Sequence, residues 1–167
     1  ERLATALRQE SLPARCTAVI WLHGNLRKAK KLSHSVVKES LSSREILKLN
    51  TKHIEDVITF SRSGVEPSHE TVRHDNVLSG EYKSATSLHF SDEQRGFISG
   101  EWEAGSCRET FTSEQVEFCH ILYGHVRLTD ENGNSADYGP GESFVIPAGF
   151  SGVWENISAV RKLFVIA

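Results

Sequence analysis

From Glu81 onward the chain is a succession of short apolar or β-branched runs, each interrupted by turn chemistry. The runs are Tyr82–Phe90, Gly96–Ala104, Cys107–Thr112, Val116–Thr129, Asp137–Tyr138, Ser143–Ile146, Gly152–Trp154 and Val160–Ile166. Many short strands joined by close turns predict an antiparallel sandwich or a small barrel. The clearest turn is Thr129–Ser135, T-D-E-N-G-N-S, where Asn-Gly supplies the positive φ angles of a tight hairpin. No internal repeat is present.

The N-terminal half reads differently. Residues 1–10 and 25–41 carry loosely helical patterns broken by Pro13 and Gly24. Residues 45–60 place Ile46, Leu49, His53, Ile54, Val57 and Ile58 near helical spacing, and a short strand at Ile46–Leu49 before a helical turn reads equally well. Residues 61–80, polar and punctuated by Gly64, Pro67 and Gly80, read as loop. The division expected is a basic extension over residues 1–44, disordered or non-native, a lead-in over 45–77 and a barrel over 78–167.

Composition narrows the class. The 167 residues suffice for one domain with an appendage, and 38% hydrophobic with 25% charged residues is ordinary for a globular protein. The longest apolar run, Cys16–Leu22, is far short of the roughly 20 residues of a membrane span, and could at most be the apolar part of a targeting peptide. Three cysteines without paired spacing predict no disulfide framework and a reducing, cytoplasmic setting. The net charge of −3 divides into +5 over residues 1–41 and −8 over the remainder. Such a basic head suits nucleic-acid or membrane contact, but a solvated extension or a segment outside the native domain is the preferred reading. No nucleic-acid motif accompanies it, so neither a nucleic acid nor a membrane is expected as partner.

The stretch G-P-G-E-S-F-V-I-P-A-G-F-S-G-V-W-E-N, Gly139 to Asn156, carries a familiar spacing. Gly141, Pro147, Gly149, Gly152 and Asn156 fall where the second motif of the cupins has Gly, Pro, Gly, His and Asn. In the first motif Glu117 and Gly124 match, while the His-x-His positions fall on Thr110 and Thr112. From Gly105 to Asn156 the chain thus resembles a cupin, a double-stranded β-helix or jelly roll, with an irregular or partly helical N-terminal extension. It looks closest to the branch of ureidoglycine aminohydrolase and the ethanolamine-utilisation cupins. G-E-W-E-A-G, E-F-C-H-I-L-Y-G-H-V-R-L-T-D, V-I-P-A-G-F-S-G-V-W-E and V-R-K-L-F-V-I carry that flavour. The resemblance implies an all-β barrel with an interior pocket, and no reaction by itself.

Alternation then assigns faces. Inward Glu117 puts Cys119 and Ile121 inside and Phe118, His120 and Leu122 outside; inward Gly152 puts Trp154 and Asn156 inside. Outward Phe118 and Leu122 favour a homodimer packed through the barrel wall. Of the family's metal-ligand positions Glu117 alone keeps its chemistry, so no metal and no other cofactor is expected. A site rebuilt on His89 or His125 with Glu117 is the alternative.

Gly152, Thr110 and Thr112 are expected to clear space beneath Trp154, leaving Glu117 in an apolar chamber. There it is either a proton donor or acceptor, a partner for a cationic ligand group, or a plug bonded to a threonine or a backbone amide. Cys119 reads as a small core residue beside it. Trp102 and Trp154 read as core rings or as a stacking wall for a planar ligand. Of Arg161 and Lys162, one is expected to point inward, to pair with Glu117 or hold a substrate carboxylate. The leading reading is a metal-independent barrel binding a small polar metabolite. The others are an aminohydrolase- or sugar-isomerase-like enzyme using Glu117 as acid and base, and a structural or regulatory dimer with a plugged barrel.

Overall fold

The fold is known from a computed structural model that describes residues 51–167. The readings made above for residues 1–50, including the basic head and the Ile46–Leu49 strand, lie outside the described residues.

Among the described residues ten strands make two antiparallel sheets. They are β1 (Ser68–Val72), β2 (Tyr82–Asp92), β3 (Phe97–Ala104), β4 (Cys107–Thr112), β5 (Glu117–Tyr123), β6 (Val126–Asp130), β7 (Ser135–Tyr138), β8 (Ser143–Ile146), β9 (Ser151–Asn156) and β10 (Val160–Ile166). One sheet has the order β1-β2-β3-β10-β5-β8, the other β4-β9-β6-β7. Neighbours in sequence are repeatedly separated in the sheets, as in a jelly roll closing its two layers on one core. Cys119, Ile121, Val126 and Phe164 lie at its centre, none more than 1% exposed. Among the described residues no helix is long and apolar enough to cross a membrane.

Turn chemistry sets the register. Asp130 closes the β6–β7 hairpin by accepting hydrogen bonds on Oδ1 from the backbone amides of Asn132 and Asn134, while Gly133 takes a φ of 84°. The hydrogen bonds from Asn134 hold the Asp130 carboxyl below its ordinary range. Across the hairpin Arg127 donates to Asp137 through Nε and Nη2 at 2.6 and 2.7 Å. The long Val116–Thr129 run divides at Gly124, with a φ of 82° and no room for a Cβ beside the Ala159 carbonyl.

Two expectations are corrected. Within 61–80, Ser68–Val72 is not loop but β1, paired with β2 from Ser68↔Thr86 to Val72↔Tyr82. Part of the lead-in therefore belongs to the sheet, because alternating Ser-His-Glu-Thr-Val suits a half-covered edge strand. Between 51 and 63 there are only two short 3-10 turns, Ile54–Asp56 and Phe60–Arg62. Ile54 and Val57 stay exposed, so the helical spacing there serves no buried stripe.

Candidate functional site inside the barrel

Four strands aim the polar groups at one point. β5 supplies Glu117 and Cys119, β10 Lys162, β3 Trp102, and β9 Trp154 and Asn156. Lys162 pairs with Trp102 on one side and Ile121 on the other, so the three side chains share the inner face. Lys162 Nζ donates to Glu117 Oε1 at 2.7 Å and lies 3.5 Å from Cys119 Sγ. The Cys119 thiol donates to the same Oε1 at 3.4 Å. The ammonium faces two indoles, 4.2 Å from the Trp154 ring centroid and 5.3 Å from that of Trp102. The rings meet edge to face at 6.2 Å. Trp154 is pinned by Asn156, which accepts its Nε1–H at 2.8 Å and donates to the Gly105 carbonyl. Asn156 thus orients the wall without touching the ammonium.

The neighbouring strand β4 contributes a residue that alternation from the family motif misses. Glu109 pairs with Trp154, and cross-strand partners share a face, so Glu109 points inward. It is buried, and its Oε2 lies 3.7 Å from Nε2 of His74, whose side chain is 30% exposed. The segment before β2 is laid along β4 by bonds from Leu78 N to Arg108 O and Thr110 N to Asn76 O, which brings His74 to the rim. Glu109, Glu117, Lys162, Tyr82, Phe111 and the two tryptophans line a partly open cavity of about 30 Å³. That is room for one or two waters.

The remaining candidates fall elsewhere. Thr110 and Thr112, expected inside, are exposed on the outer face, because β4 turns Cys107, Glu109 and Phe111 inward. Thr112 bonds only outward, to Ser151 at 2.7 Å. Gly152 opens no space. A Cβ there would collide with the Thr129 carbonyl and sit 3.2 Å from the Phe150 ring, so close strand packing occupies what was read as a vacated ligand position. Gly152 accordingly does not line the cavity. Arg161 faces outward and donates through Nε to Glu101 at 2.8 Å. A bulge between Arg161 and Lys162 separates their faces from those expected along β5. Burial pushes the Cys119 thiol well up, against the opposing effect of Lys162; Cys107 is likewise pushed up to about 12. Neither is an available thiolate at neutral pH.

The metal expected of many such barrels does not fit these residues. Two of its ligand positions point to solvent, a third lacks a side chain, and Glu117 is engaged by an ammonium. His89 lies on the outer face, with Nδ1 2.6 Å from Ser63 Oγ, and His125 is exposed, so neither reaches Glu117. Among the described residues no three His, Cys, Asp or Glu side chains converge on a metal-sized point.

Comparison with known proteins agrees with this architecture. The family model of the EutQ-like cupin domain matches residues 92–164. A DUF861-family protein of unknown function from Pseudomonas syringae has a similar fold, with a TM-score of 0.56 at 20% identity. The match covers 62% of this chain and 44% of that one, so the chain spans less than half of that relative. The EutQ protein of Clostridium difficile is 19% identical, with a TM-score of 0.46 over 51% of this chain and 68% of that one. No curated protein matches. Two antiparallel sheets in jelly-roll order give the chain a cupin-type fold, and its residues 92–164 are similar to the EutQ-like cupin domain.

Proposed function

We propose that this is a metal-independent cupin whose barrel interior holds a small polar metabolite at the Lys162–Glu117 pair. One observation carries the reading: a buried ammonium–carboxylate pair borders a water-sized cavity that a second buried carboxylate, Glu109, also lines. Well-packed apolar side chains would fill such a core at equal or lower free energy, so the fold alone does not require these charges. The cavity is far below the roughly 300 Å³ of a preformed metabolite site. The occupant is therefore small, or it enters as the lining side chains move. Two carboxylates against one lysine favour a neutral or cationic molecule over an anion. The chemistry available is that of the chain's own amine and carboxylates, in a reducing, cytoplasmic setting that suits the free Cys107 and Cys119.

The test is a titration of ¹⁵N-labelled protein with a panel of small amines, amides and neutral metabolites. Saturable shifts of the Trp102 and Trp154 indole N–H signals, abolished in Glu117→Gln, are the expected result. A panel that leaves both indoles unmoved at millimolar concentration would falsify the reading and favour a plugged barrel. Elemental analysis of purified protein is expected to find no stoichiometric transition metal.

A second feature favours self-association. Phe118, Leu122 and Val145 stand exposed on the outer face of the six-stranded sheet, with Phe118 paired to Val145. A second copy packed through this wall would bury them. Sedimentation equilibrium is expected to give a dimer that Phe118→Lys dissociates.

A further inference from the structure

Resting on that binding site, the geometry points to a chemical role for Lys162: we propose that it is a nucleophilic amine that traps a short, uncharged aldehyde or ketone as an iminium. Three observations combine. The Nζ atom is buried in an apolar box of two indole faces. A carboxylate oxygen able to take its proton lies 2.7 Å away. The cavity that Lys162 borders has a second carboxylate, Glu109, in its wall.

An exposed lysine is a hydrated ammonium with no lone pair, and it reacts slowly with carbonyls. Desolvation and an adjacent base are the two conditions that convert such an ammonium into a nucleophile. Glu117 would take one proton from the ammonium. The freed lone pair attacks the carbonyl carbon, forming the C–N bond and pushing the C=O electrons onto oxygen. A proton passes from nitrogen to that oxygen to give a carbinolamine. The proton held by Glu117 then returns to the hydroxyl, the C–O bond breaks, and water leaves. Ammonium plus carbonyl gives iminium plus water, with no net change in protons and no oxidant or reductant.

The iminium keeps the positive charge where the ammonium had it, between the Glu117 carboxylate and two electron-rich ring faces. Glu109 is placed to accept hydrogen bonds from the carbinolamine hydroxyl and the departing water. Its contact with partly exposed His74 links this end of the cavity to solvent. Size and charge limit the substrate. A cavity of about 30 Å³ limits the carbonyl compound to a very short one that enters as the lining side chains move, and two carboxylates disfavour an oxo acid.

The probe is acetone with cyanoborohydride on the full chain, read by peptide mass spectrometry. Trapping is expected to place one isopropyl group on Lys162 at least about tenfold faster than on exposed Lys52 or Lys83. Glu117→Gln, checked for folding by circular dichroism, is expected to slow the Lys162 reaction on the order of 100-fold. Glu109→Gln, a milder change, should slow it less. Lys162 modified no faster than Lys83, or as fast in folded Glu117→Gln as in the parent, overturns the proposal. Acetone is also titrated without reductant while the indole signals are followed. Saturable shifts with no trapping sink the covalent step and leave the binding site standing; neither shifts nor trapping sinks the covalent proposal, and the panel of amines, amides and neutral metabolites decides the binding site separately.

Discussion

Replacing Lys162 by Met removes a cation while keeping most of its packing, and it isolates what the buried pair contributes. At 2.7 Å the pair attracts by about 6 kcal/mol at an effective dielectric near 20. The indole faces add about 2 kcal/mol. Against this stands a desolvation cost of several kcal/mol for each ion, since both side chains are less than a tenth exposed. The terms nearly cancel, so the intact pair adds little to stability. Breaking it is another matter. In Lys162→Met the Glu117 carboxylate stays buried with the weak Cys119 thiol as donor, an expected loss of about 3–5 kcal/mol. In Glu117→Leu with Lys162→Met nothing charged is stranded at that position, and the double variant is expected to lose less than about 1 kcal/mol. The coupling energy is then at least about 2 kcal/mol. Urea denaturation followed by tryptophan fluorescence measures Lys162→Met, Glu117→Leu and the double variant, with unchanged m-values showing that the unfolded states are comparable. Additive losses within about 0.5 kcal/mol would refute the reasoning, because they would mean that the two groups do not depend on each other.

Gly152→Ala is expected to cost about 1–3 kcal/mol in the same assay, because the new methyl meets a backbone carbonyl; a neutral result would show that the β6–β9 spacing yields freely. The buried Cys107 thiol, pushed up to about 12, makes stability fall above pH 9, where the unfolded thiol loses its proton and the folded one does not. Between pH 9 and about 10.5 the parent should lose about 2 kcal/mol more than Cys107→Ala, and parallel curves would contradict the burial argument. Asp137, hydrogen-bonded by Arg127, is held below its ordinary value of 3.8, so its stabilising effect is complete above that pH and is lost as pH falls through the lower folded value. Faster amide exchange across Thr129–Ser135 on acidification, absent in Asp137→Asn, is the expected signature.

Much of the barrel was legible because alternation is a local rule. Once Glu117 is turned inward, Cys119 and Ile121 must follow and Phe118 and Leu122 must face out, and burial follows that order along β5. The same rule failed on β4 because its phase was borrowed from motif spacing and not from pairing. Trp154 was expected inside, and its β4 partner is Glu109, so inward Glu109 and outward Thr110 follow from the β4–β9 register. That register is a long-range property, fixed by which strand meets which. Lys162 and Arg161 could not be told apart for a related reason, since a bulge between them shifts the phase against β5. His74 was invisible as a site residue because a loop bond pattern, and no periodicity, lays it against Glu109.

The missing ligand at position 152 therefore has a different meaning from an emptied pocket. The family arrangement balances an inward glutamate with a cation held by several side chains. Here a single side chain from the neighbouring strand β10 delivers the cation, and the positions that would have held a metal are free to become backbone contacts and solvent-facing threonines. A metal offers open coordination positions and polarises what binds there. An ammonium offers three donors and, once it gives up a proton to Glu117, a lone pair. An ammonium in the place of a divalent metal carries one positive charge fewer, and under the proposal above it would offer nucleophilic in place of Lewis-acid chemistry. The two consequences are separable by experiment. Lys162→Arg keeps the charge and its partner Glu117 but removes the nucleophile, because a guanidinium stays protonated. If Lys162 serves as a counter-ion alone, Lys162→Arg should retain ligand-induced indole shifts once folding is verified. If it serves as a nucleophile, acetone-induced indole shifts and the trapping seen in the parent should both be lost in folded Lys162→Arg.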